Sequence, residues 1–236
     1  MSIKDFKELT ISSDKQVYIV GDIHMKTEPL YKALEALSFN TNNDILVSVG
    51  DLIDRGPDAP ECILELLNQP WFYSVLGNHE DMFLKHLMFG GTDSQMFLYN
   101  GGDWILNYEI NSEVISGLAN KIANLPIAIQ INYMNKAFGI VHAGVYFEDW
   151  NFMKENLLAH NSTDMFARHD IIAHSIWDRK QITFDNPIKN INYAIFGHNP
   201  LKEPLVTKNK YYIDTASVYN NKLTLLKLSD MSMYTF

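Results

Sequence analysis

The sequence predicts an α/β fold built on a parallel sheet with crossover helices. Two observations carry this. Short runs of strand-forming residues alternate with helical patterns through the first two-thirds of the chain, as βαβ connections require. Three of those runs also end at a glycine followed by polar residues, at the carboxyl ends of strands where open α/β sheets gather ligands.

Val17–Val20 reads as the first strand and ends at Gly21. A helix is expected over 29–37, with Thr27 as N-cap and Pro29 in its first turn. The second strand is 45–49, ending at Gly50, and Pro60–Leu67 is the second helix. The third strand is 72–76, ending at Gly77, and the third helix is 80–88. A helix over 113–125 stops at Pro126. Strands are expected at 127–131 and 138–141 around the turn 132–136, then at 194–196, 211–213 and 223–228. The stretch 145–193 is polar and irregular, an excursion from the core with helical pieces. The chain's 236 residues suit one domain over 1–236, with a first half at 16–144 and C-terminal strands at 194–230.

Composition excludes several classes. The net charge is −9, which disfavours coating a nucleic-acid backbone. The single cysteine, Cys62, cannot pair within the chain, so a reduced, cytoplasmic setting is expected. No apolar run approaches the roughly 18 residues that span a bilayer, and residues 1–15 lack the apolar stretch of a signal peptide.

The chemistry lies at the strand ends. They read Gly21-Asp22-Ile23-His24, then Gly50-Asp51-Leu52-Ile53-Asp54-Arg55-Gly56, then Gly77-Asn78-His79-Glu80. Two later segments, Val141-His142-Ala143-Gly144 and Phe196-Gly197-His198-Asn199-Pro200, each place a histidine after an apolar strand. Each motif alone is an ordinary loop. Five together, with oxygen and imidazole donors at strand ends, point to a divalent-metal site.

Read jointly, the first three motifs resemble the signature of the phosphoprotein phosphatase family of calcineurin-like metallophosphoesterases, closest to its bacteriophage lambda phosphatase type. Pro70-Trp71-Phe72, Asn100-Gly101-Gly102 with Trp104, Ile176-Trp177 and Tyr212-Ile213-Asp214-Thr215 are similar as well. The resemblance implies a β-sandwich flanked by helices, in α/β/β/α order. It implies that Asp22 and His24 hold a first metal, that Asp51 bridges two, and that Asn78, His142 and His198 complete the second. It makes His79 the general acid oriented by Asp54, and Arg55 and Arg179 the phosphate-binding arginines. Donors without a thiolate suit manganese, iron or zinc; manganese is the expected ion. The implied activity is hydrolysis of phosphoserine and phosphothreonine in proteins or peptides, with dual specificity extending to phosphotyrosine left open and small phosphoesters also cleaved.

Two alternatives stay open. One is a symmetrical diadenosine tetraphosphate hydrolase, whose second motif usually reads Ala-Arg-Gly and whose third ends in Asp; Asp54 and Glu80 favour the protein-phosphatase branch. The other is a metal-binding interaction module without turnover. The chain departs from the family pattern at two glycines, with Met25 after the first histidine and Ala216 after Asp214-Thr215. Met25 is expected to stand beside the first metal loop and to narrow access or alter that turn. His86, His160, His169 and His174 read as ordinary surface or satisfied residues.

Overall fold

The computed structural model describes residues 5–159 and 165–236. The chain begins with β1 (Phe6–Thr10), and the expected strand–helix alternation follows: β2 (Val17–Val20), α1 (Thr27–Ala36), β3 (Ile45–Ser48), α2 (Pro60–Leu67), β4 (Phe72–Ser74) and α3 (Asn78–Phe89). Then follow α4 (Gly91–Phe97), α5 (Glu113–Ile122), β5 (Ala128–Tyr133), β6 (Lys136–Val141), α6 (Trp150–Leu158) and α7 (Met165–Trp177). The chain closes with β7 (Tyr193–Phe196), β8 (Leu205–Thr207), β9 (Lys210–Tyr212), α8 (Ser217–Asn220), β10 (Thr224–Lys227) and β11 (Met233–Thr235).

The strands form two sheets, in the orders β1-β5-β6-β7-β9-β8 and β11-β10-β2-β3-β4. The predicted parallel arrangement holds for β2, β3 and β4, but β10 runs antiparallel beside β2. Alternation along β2 shows how the layers arise. Val17 and Ile19 face the other sheet, packing with Val47, Ile129 and Ile140, whereas Tyr18 and Val20 face the helices, packing with Leu30, Ile63 and Phe83. A period of two thus buries both faces of one strand in different layers. On the far side, Ala128, Phe196 and Tyr212 pack under Trp150 and Met153 of α6 and Ile171 of α7. The result is the expected α/β/β/α sandwich.

Three edge strands were not anticipated. Phe6–Thr10 alternates a buried phenylalanine with charged, partly exposed positions, so it reads as polar chain until β5 supplies its partner. Strands β8 and β11 have three residues each, too few to show a period. Thr27 is not the N-cap but the first residue of α1. Its N–H and hydroxyl both donate to Asp58 Oδ2, at 2.5 and 2.7 Å, so a tertiary carboxylate does the capping. Helix α3 begins two residues before the expected 80, which places Asn78 and His79 in its first turn.

Candidate active site

The loops after β2, β3, β4, β6 and β7 converge at one end of the sandwich. Their approach is close enough to dictate residue type. A Cβ on Gly77 would sit 2.3 Å from Asp51 Oδ1, and one on Gly197 would sit 2.1 Å from Asp22 Oδ1; only glycine lets the backbone come that near. The loop after β3 is held by Glu80, which is fully buried. Its Oε1 accepts from the N–H groups of Leu52 and Ile53, at 2.8 and 3.2 Å. Its Oε2 accepts from Asp51 and Gly77, at 2.9 and 3.0 Å. Within this loop Asp51, Asp54 and Arg55 all adopt left-handed backbone, with φ of 49°, 72° and 67°, a conformation costly for side-chain-bearing residues.

Asp51 lies at the centre. His142 Nε2 is 3.3 Å from its Oδ1, and His24 Nε2 is 3.7 Å from its Oδ2. Asn78 Oδ1 lies 2.9 Å from His142 Nε2 and 2.8 Å from His198 Nδ1. Two clusters share Asp51, one adding His24 and His79 and the other His142 and His198. Asp22 is set slightly apart, its carboxylate accepting the His198 N–H at 3.1 Å. A cavity of about 160 Å³ opens over the group, walled by Asp22, His24, Asp51, Asn78, His79 and His198. Arg55 and the exposed Arg179 stand on its rim.

Ring orientations are set from behind. His142 Nδ1 lies 2.8 Å from the Val49 carbonyl and His24 Nδ1 lies 2.9 Å from that of Ile53. A carbonyl only accepts, so both Nδ1 atoms donate and a neutral ring turns its Nε2 lone pair towards Asp51. The lone pair of His142 Nε2 then faces Asn78 Oδ1 at 2.9 Å and Asp51 Oδ1 at 3.3 Å, about the edge length of a coordination sphere with bonds of about 2.0–2.2 Å. The donor set therefore fits a cation. Burial pushes His24 and His198 down to about 3, which keeps them neutral. Burial opposes charge on His142 and on Asp51 too, but the pair's mutual attraction outweighs it, raising His142 and holding Asp51 well below the usual range.

His79 is fully buried. Its Nδ1 is 2.6 Å from Asp54 Oδ2, and its Nε2 has no hydrogen-bond partner among the described residues. Burial pushes His79 down to about 4 and raises Asp54 well above the carboxylate range. Both groups are driven towards neutrality, and one proton between them serves both. Arg55 is not paired with Asp54 or Glu80. Its backbone N–H donates to the Gly101 carbonyl at 3.1 Å and its Nε to that of Asn100 at 3.3 Å. Its Nη1 lies 3.1 Å from His24 Nε2.

Several contributors went unassigned in the sequence. Trp104 Nε1 donates to Asp54 Oδ1 at 2.7 Å, fixing the carboxylate that orients His79. The backbone of Asn100 and Gly101 positions Arg55, and Asp214 lines the cavity. The short motif Asn100-Gly101-Gly102 with Trp104 was the available signal, but it named no partners. Met25 does not narrow access, since its side chain does not line the cavity, but its backbone turns left-handed, with φ of 49°. It is fully buried among Leu30, Ile53 and Phe83 on the helix side. His86 contacts Ser94 Oγ at 2.8 Å and His169 is exposed on α7; His174 is half-buried on α7, and His160 lies outside the described residues.

Two sheets, helices on both outer faces and a buried His/Asp/Asn cluster at the strand ends define a metal-centred phosphoesterase class. The chain belongs to the calcineurin-like phosphoesterase family, whose model matches residues 15–217. Serine/threonine-protein phosphatase 2 of Escherichia coli (strain K12) is 36% identical over 232 residues, covering 94% of this chain and 97% of that one. An asymmetrical bis(5'-nucleosyl)-tetraphosphatase of Oceanobacillus iheyensis is 26% identical, covering 91% and 89%. The structure of a protein serine/threonine phosphatase from Saccharomyces cerevisiae superposes with a TM-score of 0.66 at 15% identity, covering 97% and 83%. The last likeness concerns the fold alone.

Proposed function

We propose that this chain is a metal-dependent serine/threonine protein phosphatase. The carrying observation is His79, locked by Asp54 at 2.6 Å, with a free Nε2 beside the cluster around Asp51. In this reading Asp22 and His24 hold one divalent ion, Asn78, His142 and His198 hold a second, and Asp51 is shared. Manganese is the proposed ion, with iron and zinc compatible with the same donors. When bound, such a pair supplies Lewis acidity towards a phosphoryl group and its attacking water.

The protein's own groups do the rest. Arg55, fixed by the Asn100 and Gly101 carbonyls, presents a planar fork to phosphoryl oxygens, and Arg179 lines the same cavity. His79 delivers its Nε2 proton to the leaving alkoxide. Asp54 holds the Nδ1 edge of the ring, so the proton the ring transfers is the one on Nε2. A phosphoryl group arriving beside Nε2 adds negative charge and so raises the proton affinity of His79.

The phosphatase reading is favoured over the dinucleotide one by the 36% identity to a named serine/threonine phosphatase and by Asp54 itself, which the Ala-Arg-Gly pattern lacks. The substrate is then a phosphoprotein or phosphopeptide. Among the described residues no helix is long and apolar enough to cross a membrane; cytoplasmic residence is part of the proposal. The test compares kcat/KM of manganese-loaded protein on a phosphothreonine peptide and on diadenosine tetraphosphate. A higher value on the peptide is expected. A much higher value on the dinucleotide reverses the choice, and no turnover of either or of p-nitrophenyl phosphate sinks both enzyme readings.

A further inference from the structure

A second cavity, of about 440 Å³, lies outside the one just described. Its walls are His174 of α7 and the continuations of two loops that enter the catalytic cavity. His142 leads into Val145, Phe147 and Glu148, and Arg179 leads into Gln181, Phe184 and Asn186. Gln181 ties the loops together: its Oε1 accepts the Val145 N–H at 2.8 Å and its Nε2 donates to the Val145 carbonyl at 2.9 Å.

The lining has a specific chemistry. Phe147 is 68% exposed and Phe184 is 49% exposed, although each could have been buried at a gain. Phe147 is packed by the tilted rings of Tyr146 and Phe152, at centroid distances of 4.3 and 5.3 Å, and is still left facing outward. Phe147 and Glu148 are consecutive left-handed residues, with φ of 55° and 54°, a conformation kept only where the surroundings impose it. Glu148 Oε2 accepts from Asn186 Nδ2 at 3.2 Å. Its Oε1 is buried with no hydrogen-bond partner among the described residues. Lys210 makes no hydrogen bond to it; its ammonium donates to the Gln181 and Phe184 carbonyls. Exposed aromatic faces around an unpaired carboxylate oxygen match a cation on an apolar stem. The chain's net charge of −9 draws basic partners to it.

We propose that this cavity is an exosite that takes an arginine or lysine side chain of the phosphoprotein substrate, at a fixed distance from the phosphorylated residue. The proposal rests on the protein-phosphatase reading. The test is a set of phosphothreonine peptides with one arginine moved through the flanking positions of an otherwise neutral sequence. Arginine at a preferred position should raise kcat/KM about threefold to tenfold over alanine. Phe147→Ala and Glu148→Gln should each remove that gain while p-nitrophenyl phosphate turnover stays within about twofold, which also reports that the variants are folded. If no arginine position helps, or the gain survives both substitutions, the exosite is wrong and the phosphatase reading stands. If p-nitrophenyl phosphate is cleaved but none of the peptides is, the phosphatase reading fails and the exosite falls with it.

Discussion

Asp54 is held from both sides, by His79 Nδ1 at 2.6 Å and Trp104 Nε1 at 2.7 Å, and neither of its oxygens can turn away. Such a locked carboxylate orients a proton donor, so His79→Asn should cost about 10²–10⁴-fold in kcat on a phosphothreonine peptide. The loss should be far smaller on p-nitrophenyl phosphate, whose leaving group needs no proton. Equal losses on both would remove His79 as the acid, and metal content measured on the variant should be unchanged. The two departures from glycine make a paired prediction about stability. Met25 and Ala216 both sit in left-handed backbone, with φ of 49° and 59°. That conformation costs a side-chain-bearing residue about 1–2 kcal/mol, partly offset by glycine's larger chain entropy of about 0.5–1 kcal/mol. Ala216→Gly should therefore stabilise by up to about 1 kcal/mol, raising Tm by roughly 2–4 °C. Met25→Gly should do the opposite, because burying a methionine side chain is worth about 1.5–3 kcal/mol. Thermal unfolding of the two variants checks the signs.

At the scale of elements, the loop after β3 depends on a residue from α3. Glu80 satisfies four backbone N–H groups, of Asp51, Leu52, Ile53 and Gly77. Burial and the Asp51 charge push Glu80 up to about 7, and those N–H donors pull against them. Glu80→Gln replaces an acceptor oxygen with an N–H₂ that faces donors, leaving two N–H groups unpaired. The expected cost is about 2–5 kcal/mol, seen as a lowered denaturant midpoint, with weaker manganese binding because Asp51 loses its seat. A variant as stable as the parent would show that the Glu80 carboxylate does not hold this loop. Most elements were legible because their periods are local: Val17–Val20 and Pro60–Leu67 match the expected bounds. Helix α3 was read from residue 80 instead of Asn78 because Asn78 and His79 carry no apolar period. Strands β1, β8 and β11 were not legible because an edge strand of alternating or few residues exists only by pairing.

For the whole molecule, the sandwich brings together side chains far apart in sequence around a cluster whose lone pairs face one another. A cation there stabilises the folded state by mass action, by about 2.7 kcal/mol at a hundredfold excess over Kd. Chelation should lower Tm by roughly 5–10 °C, and manganese should restore it. A Tm indifferent to chelator and metal would mean that the cluster binds no ion in the folded protein. The sequence by itself determined the donor types, the strand ends that carry them and the family signature, because turns and periods are encoded in adjacent residues. Only the tertiary structure decided how they are arranged. Trp104 reaches Asp54 across 50 residues and Asn78 meets His198 across 120. It also turned Met25 into the core and gave Arg55 to the Asn100 and Gly101 carbonyls. The physical reason is that these contacts follow from how two sheets stack and where their loops meet, which no local period records.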